Sequence, residues 1–253
     1  MRAIEWFLSS LRPLGLLLLA CGLASGSTIV VTGVDWTRGE SIWINEDGTD
    51  VSAYFAGVID ITVNDTDGSY TRDSLCVDLF TDIYLYQQYD TNVLGPGDVA
   101  GKNLPRVSWL IDNALLPSQN SSYTSALPTT DWVSTPDQGA GIQLAIWDIV
   151  HDGGDGFSGG RVQAGSAANP TDPNVLAWAE AYEGMSAGQS SNLAYVYQNF
   201  DTGTTVPAQM LAGPLFQDGG PTPQDDAPEP TTLLLSGSAL IGAACLARRR
   251  RAR

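Results

Sequence analysis

Histidine occurs once in this chain of 253 residues, as His151, and cysteine three times, as Cys21, Cys76 and Cys245. A single imidazole excludes a multi-histidine metal centre, and any catalytic triad would have to use that one ring. Basic residues are scarce too: 12 Lys plus Arg stand against 28 Asp plus Glu, for a formal net charge of −16. Five of those twelve lie within 248–253, and Arg2 and Arg12 sit near the other end. The segment from Ser27 to Glu229 keeps only Arg38, Arg72, Lys102, Arg106 and Arg161 against 27 acids (the 28 less Glu5), a net charge of −22. A surface of that sign repels phosphate backbones and anionic lipid, which excludes nucleic acid as a partner. No internal repeat at solenoid or propeller periods is present, and the aromatic content argues against wholesale disorder.

What is present is concentrated at the two ends. "MRAIEWFLSSLRPLGLLLLACGLASGST" places Arg2 and Arg12 ahead of the apolar run Leu14–Leu23, followed by the small residues Ala24, Ser25 and Gly26. This is the layout of a signal peptide over 1–26, removed by signal peptidase after Ala24 or Gly26. "LLAC" ending at Cys21 also reads as a lipobox, in which Cys21 would become a lipidated N-terminus. The other end reads "DDAPEPTTLLLSGSALIGAACLARRRRAR". An apolar run over 231–247 is long enough to span a bilayer, and Arg248, Arg249, Arg250 and Arg251 open a basic tail over 248–253 that would stay cytoplasmic. With Pro228, Glu229 and Pro230 ahead of them, these elements resemble the PEP-CTERM sorting signal of Gram-negative bacteria. The resemblance implies an exosortase, a membrane-embedded transpeptidase, that recognises the Pro-Glu-Pro and cuts near it. An ordinary C-terminal membrane anchor is the plainer reading of the same run. Either way the body is expected outside the inner membrane, held by a transmembrane helix until processing and then displayed on the envelope or secreted.

Between the signals, 27–215 is read as one extracellular domain and 216–227 as a flexible acidic linker rich in proline and glycine. "STIVVTGV", "VSAYFAGVIDITV", "YTRDSLCVDLF" and "LAYVYQNF" are rich in β-branched and aromatic residues and are separated in places by "EDG" and "TDG" turns. They predict an antiparallel sheet. Helices are predicted at "LPRVSWLIDNAL", at "QGAGIQLAIWDIVHD" and at "DPNVLAWAEAYEGM", where Asp172 caps and Pro173 takes the first position. The expected fold is therefore α+β, a β-rich sandwich or barrel with a small helical insertion.

His151 sits in "VHDGGDG", whose glycine density predicts a turn with a solvated imidazole. Asp152 and Asp155 in that loop could hold calcium weakly, but they lack the spacing of an EF-hand, and no metal or other cofactor is assigned. Asn64-Asp65-Thr66 and Asn120-Ser121-Ser122 match the glycosylation sequon, a pattern that short sequences often contain by chance.

Cysteine counting is more informative. Cys21 falls in the signal and Cys245 in the tail, so the exported body holds Cys76 alone and has no internal disulfide. Cys76 can be a small buried hydrophobe, a partner in an intermolecular disulfide, or something more reactive. "SLCVDLF" followed by "GAGIQLAIWDIV" resembles the internal-thioester domain of Gram-positive surface adhesins, with the helices in matching order over roughly 73–200. The resemblance pairs Cys76 with Gln143, 67 residues later, in a thioester formed with loss of ammonia. Trp147, one turn beyond Gln143, would shield that bond, or simply pack the core with Ile142, Ile146 and Val150. His151, two turns beyond Gln143, could assist acyl transfer.

Three functions follow. The first is a covalent adhesin or matrix protein that acylates a surface amine or hydroxyl once. The second is a non-covalent envelope or biofilm-matrix protein, associated with exopolysaccharide, whose cysteine is inert. A hydrolase is the third, but no motif fixes a catalytic pair among so many acids, and the chain is read as not an enzyme.

Overall fold

The computed structural model describes residues 26–214, apart from positions 49, 67 and 120–122. Gly26 aside, the expected signal peptide, the acidic linker, Pro228-Glu229-Pro230, the apolar run and the arginine tail all lie outside the described residues. Among the described residues seven antiparallel strands are present: β1 (Ser27–Glu46), β2 (Asp50–Asp65), β3 (Gly68–Cys76), β4 (Gln88–Leu94), β5 (Val162–Ala164), β6 (Ala194–Asp201) and β7 (Leu211–Pro214).

Their order is β2-β3-β7-β6-β4-β1-β5, with a further pairing of β2 to β1. The first residues of β1 pair with β4 on one edge and with β2 on the other, so six strands close into a barrel and β5 joins the far half of β1. Of the two expected β architectures the barrel is the one formed. Closure requires β1 to bend, and two register breaks against β2 supply the bend, between Val31 and Gly33 and between Val34 and Gly39. An inserted residue also swaps the inward face. Buried Ile29 and Val31 accordingly give way, past the breaks, to buried Ile42 and Ile44. At the second break Gly39 of β1 lies against Gly57 of β2, whose φ of +143° and close backbone contact suit only glycine.

The helices fill the connection between β4 and β6. They are α1 (Leu104–Leu110), which runs through a π-helical turn (Ile111–Leu115) into α2 (Leu116–Gln119), then α3 (Pro136–His151) and α4 (Pro173–Ser186). Thr135 caps α3 by accepting from the Gln138 N–H at 3.3 Å, with Pro136 at the first position. Asp172 caps α4 as expected, accepting from the Asn174 N–H at 2.8 Å.

Helix α3 is buried on every side from Gln138 to Val150, because β1, β2, β3 and β5 cover one face and α1 and α4 the other. Such a helix has no solvated stripe, so each polar side chain on it must find a partner within the protein. Among the described residues no helix is long and apolar enough to cross a membrane.

Two local expectations are corrected. The strand read through Phe80 ends at Cys76, because the Asp78 carboxylate accepts from the Phe80 N–H at 3.1 Å and turns the chain. Strands β4, β5 and β7 were not expected, being short and polar or rich in small residues.

The five cations of the body are all engaged. Arg38 bridges Asp35 and Asp73 at 2.6 and 2.5 Å, Lys102 reaches Asp78 at 3.5 Å, and Arg161 binds Asp47 at 2.9 Å. Arg72 is buried over the Tyr70 ring, and Arg106 is bonded within the helical layer. No cationic patch is left among the described residues to attract phosphate.

Candidate functional site

The end of β3 meets the middle of α3 at Cys76 and Gln143. The Cys76 N–H donates to Gln143 Oε1 at 2.8 Å, and Gln143 Nε2 donates to the Cys76 carbonyl at 2.6 Å. Two parallel bonds therefore fix the carboxamide against the residue that carries the thiol. Gln143 is fully buried and Cys76 is 4 % exposed, so bulk water is excluded from both. The thiol is free. Burial, and secondarily the Asp78 carboxylate, push its pKa well above the ordinary thiol range, so it is held as the neutral S–H.

Trp147 lies one turn along α3 and is 1 % exposed. Its ring meets that of Tyr54 edge-on, with centroids 6.3 Å apart. With Cys76, Phe55, Leu79 and Gln209 these two rings line a cavity of about 190 Å³. Trp147 thus packs in the core and also lines the cavity beside Cys76. Gln209 closes the cavity from the strand side, since its Nε2 donates to the Asp78 carbonyl at 2.7 Å.

His151 departs from expectation. It is the last residue of α3, and its side chain is only 8 % exposed. Nε2 accepts from the Leu79 N–H at 3.2 Å, and the Phe80 ring meets it edge-on with centroids 4.7 Å apart. Gln143, Trp147 and His151 therefore form one stripe of α3 along the segment 76–79. The ring is committed to the backbone of that segment.

Burial first, then the Lys102 ammonium, lowers the imidazole pKa to about 4, against the opposing pull of Asp78 at 3.6 Å. The folded protein thus keeps the ring neutral while the unfolded chain takes up a proton below about 6.5. This contribution to stability is full above about 6.5 and is lost as pH falls towards 4. Between pH 7 and 4.5 the wild type should lose about 1–2 kcal/mol more than His151→Gln, a figure reduced for partial solvent screening. Gln retains an acceptor for the Leu79 N–H. Denaturant unfolding of both proteins at the two pH values checks this, and equal losses would contradict it.

Beyond His151 the glycine loop brings Asp152 and Asp155 back towards Asp148 on α3, with one carboxylate oxygen of each within 4.8 Å of the others. Sequence reading named Asp152 and Asp155 and missed Asp148, a residue of the helix. It also missed Glu183 of α4. Burial raises the carboxyl pKa of both Asp148 and Glu183; the contact between them raises that of Glu183 further and opposes the rise at Asp148. Only the helix periodicity of "LAIWDIV" hinted that Asp148 points inward, and nothing in either segment announces that two acids from separate helices meet.

Comparison with known proteins adds one finding at the other end of the chain. Residues 226–251 match the family model described as the PEP-CTERM protein-sorting motif. The chain therefore carries the sorting signal of an exosortase substrate, a protein that transits the membrane and is sorted to the cell surface or beyond. Pro228, Glu229, Pro230 and Arg248 to Arg251 all fall within the matched stretch. No curated protein and no solved structure matches the chain.

Proposed function

We propose that the exported body is a surface or matrix protein that forms an internal thioester between Cys76 and Gln143 and spends it once, acylating a nearby amine or hydroxyl. The observation that carries this reading is the pair of hydrogen bonds fixing the Gln143 carboxamide on the Cys76 peptide, away from water. In the forming step, Sγ bonds to the side-chain carbonyl carbon of Gln143, the C–N bond breaks, and the thiol proton leaves with the nitrogen as ammonia. The carbonyl oxygen keeps its donor, the Cys76 N–H, which polarises the carbon under attack and stabilises negative charge on the oxygen.

Burial then works in the bond's favour. A thiol with a raised pKa is a poor leaving group, and exclusion of water slows hydrolysis. An amine that reaches the cavity beside Trp147 would take the acyl group as an amide on Gln143, and the sulfur would regain its proton. A single-use step of this kind is not enzymatic turnover, and it needs no cofactor. Export, cleavage by signal peptidase and anchoring through the apolar segment 231–247 before exosortase action complete the proposed route.

One observation favours the second reading, a non-covalent matrix protein associated with exopolysaccharide. The same two hydrogen bonds give both ends of the carboxamide a partner and would tie α3 to β3 without any chemistry. Intact-mass measurement separates the two. The thioester form is lighter than its sequence by one ammonia, Cys76→Ala and Gln143→Ala each abolish that deficit, and methylamine adds to the wild type alone. A full mass with a titratable thiol in the denatured chain would leave the structural role only.

A further inference from the structure

Converging surface acids are common and mean little, but of the three beside the glycine loop one is buried, and a second buried acid touches it from another helix. Asp148 is fully buried on α3, and Glu183 reaches it from α4 while only 8 % exposed. Their carboxyl groups are within hydrogen-bonding contact of each other. Asp148 Oδ1 and Glu183 Oε1 nevertheless have no hydrogen-bond donor among the described residues. Two carboxylates in contact away from water are unfavourable unless a proton or a cation lies between them.

The surroundings favour the cation. Asp155 contributes an exposed carboxylate. Asp152 Oδ2 accepts from the Arg161 and Val162 N–H groups, both at 2.8 Å, which anchors the loop. Asp148 Oδ2 accepts from the Gly156 N–H at 3.3 Å. The nearby positive charge, Arg106, is occupied by neutral acceptors: the carbonyls of Gly153 and Glu183 at 2.8 and 2.9 Å and Ser186 Oγ at 3.0 Å. Arg161, which also feels Asp152, is paired with Asp47, so the four carboxylates keep an excess of negative charge that a divalent ion would balance. The donors are all oxygen, with neither imidazole nor thiolate among them, which selects a hard cation over zinc. Their irregular placement suits calcium better than the strict octahedron of magnesium.

We propose that Asp148, Asp152, Asp155 and Glu183 form a calcium site joining the end of α3, its following loop and α4. It is independent of the thioester, since none of its ligands touches Cys76 or Gln143. The full chain, purified and stripped with a chelator, should bind one calcium ion with a Kd on the order of 0.1–1 mM, the range of extracellular modules. At about twenty times Kd the Tm should rise by roughly 4–7 °C. Asp155→Asn, at an exposed position, should weaken calcium binding about tenfold or more and leave the calcium-free Tm unchanged. Absence of saturable binding in calcium titration calorimetry at about 10 mM overturns the site, as does unaltered affinity in Asp155→Asn. A Glu183→Gln protein that is more stable than wild type without calcium, while wild type shows no calcium response, assigns the pair to a shared proton and also overturns it.

Discussion

Replacing Gly139 by alanine is expected to cost the folded body about 3–5 kcal/mol and to lower its Tm by about 10 °C or more, the largest effect of any added methyl group. A Cβ at this position of α3 would lie 1.9 Å from the Arg38 carbonyl oxygen and 2.3 Å from its carbon. Those are backbone atoms in the bend of β1, and they cannot swing aside as a side chain would. Arg38 is further pinned through its ion pairs with Asp35 and Asp73. The helix would have to lift off the barrel, and Gln143, one turn further on, would lift with it. Gly184→Ala on α4 is the contrasting case, since nothing lies within 4 Å of the added atom. Removing that helical glycine should stabilise by about 0.5–1 kcal/mol. Urea unfolding of the two variants beside the wild type measures both changes, and a Gly139→Ala protein of normal stability would contradict the close approach of α3 to β1.

Gln143→Ala is expected to cost about 3–5 kcal/mol in the same measurement, whether or not the thioester is made. Without the thioester the side chain serves both the N–H and the carbonyl of Cys76, and truncation leaves two buried backbone groups without partners; with it the amide nitrogen is already gone, and truncation removes the acceptor of the N–H together with the covalent link. Cys76→Ala separates the alternatives. Were the thiol merely a small buried hydrophobe, the change would remove little and cost about 1 kcal/mol. A covalent link between residues 67 apart restrains the unfolded chain by about 4 kcal/mol on the chain-entropy account. The cysteine variant should then fall nearly as far as the glutamine one. Cys76→Ala stability close to wild type, with Gln143→Ala strongly destabilised, would count against the bond.

Much of this arrangement was legible in the residues, for reasons that also explain what was not. β-Branched runs such as "VIDITV" announce strands, and Asp172-Pro173 announces a helix start, because those signals are local. Strand β7 carries no such signal: in "LAGP" three small or turn-forming residues follow Leu211, and it is a strand only because β3 and β6 lie on either side of it. The choice between sandwich and barrel depended on β1 pairing with both β2 and β4, which no local pattern encodes. His151 was read as solvated from its glycine neighbours, yet the contact that buries it comes from Leu79 and Phe80, distant in the chain. Cys76 stood out as the lone cysteine of the body, and Gln143 was paired with it only through the resemblance to a thioester domain. Asp148 and Glu183 are ordinary acids in an acidic chain, and only their burial sets them apart.

Strand β7 also governs when the body can finish folding. It is the last strand of the body, yet it sits between β3 and β6 and completes the ring. Leu75 and Cys76 wait for Ala212 and Leu211, which follow them by more than half the length of the domain. Pairings so distant in sequence are slow to form, and a chain that emerges from its N-terminus makes them last. Without β7 the ring has a missing stave between β3 and β6, so its closure waits for the described residues that come last in the chain, those next to the segment that leads to the sorting motif.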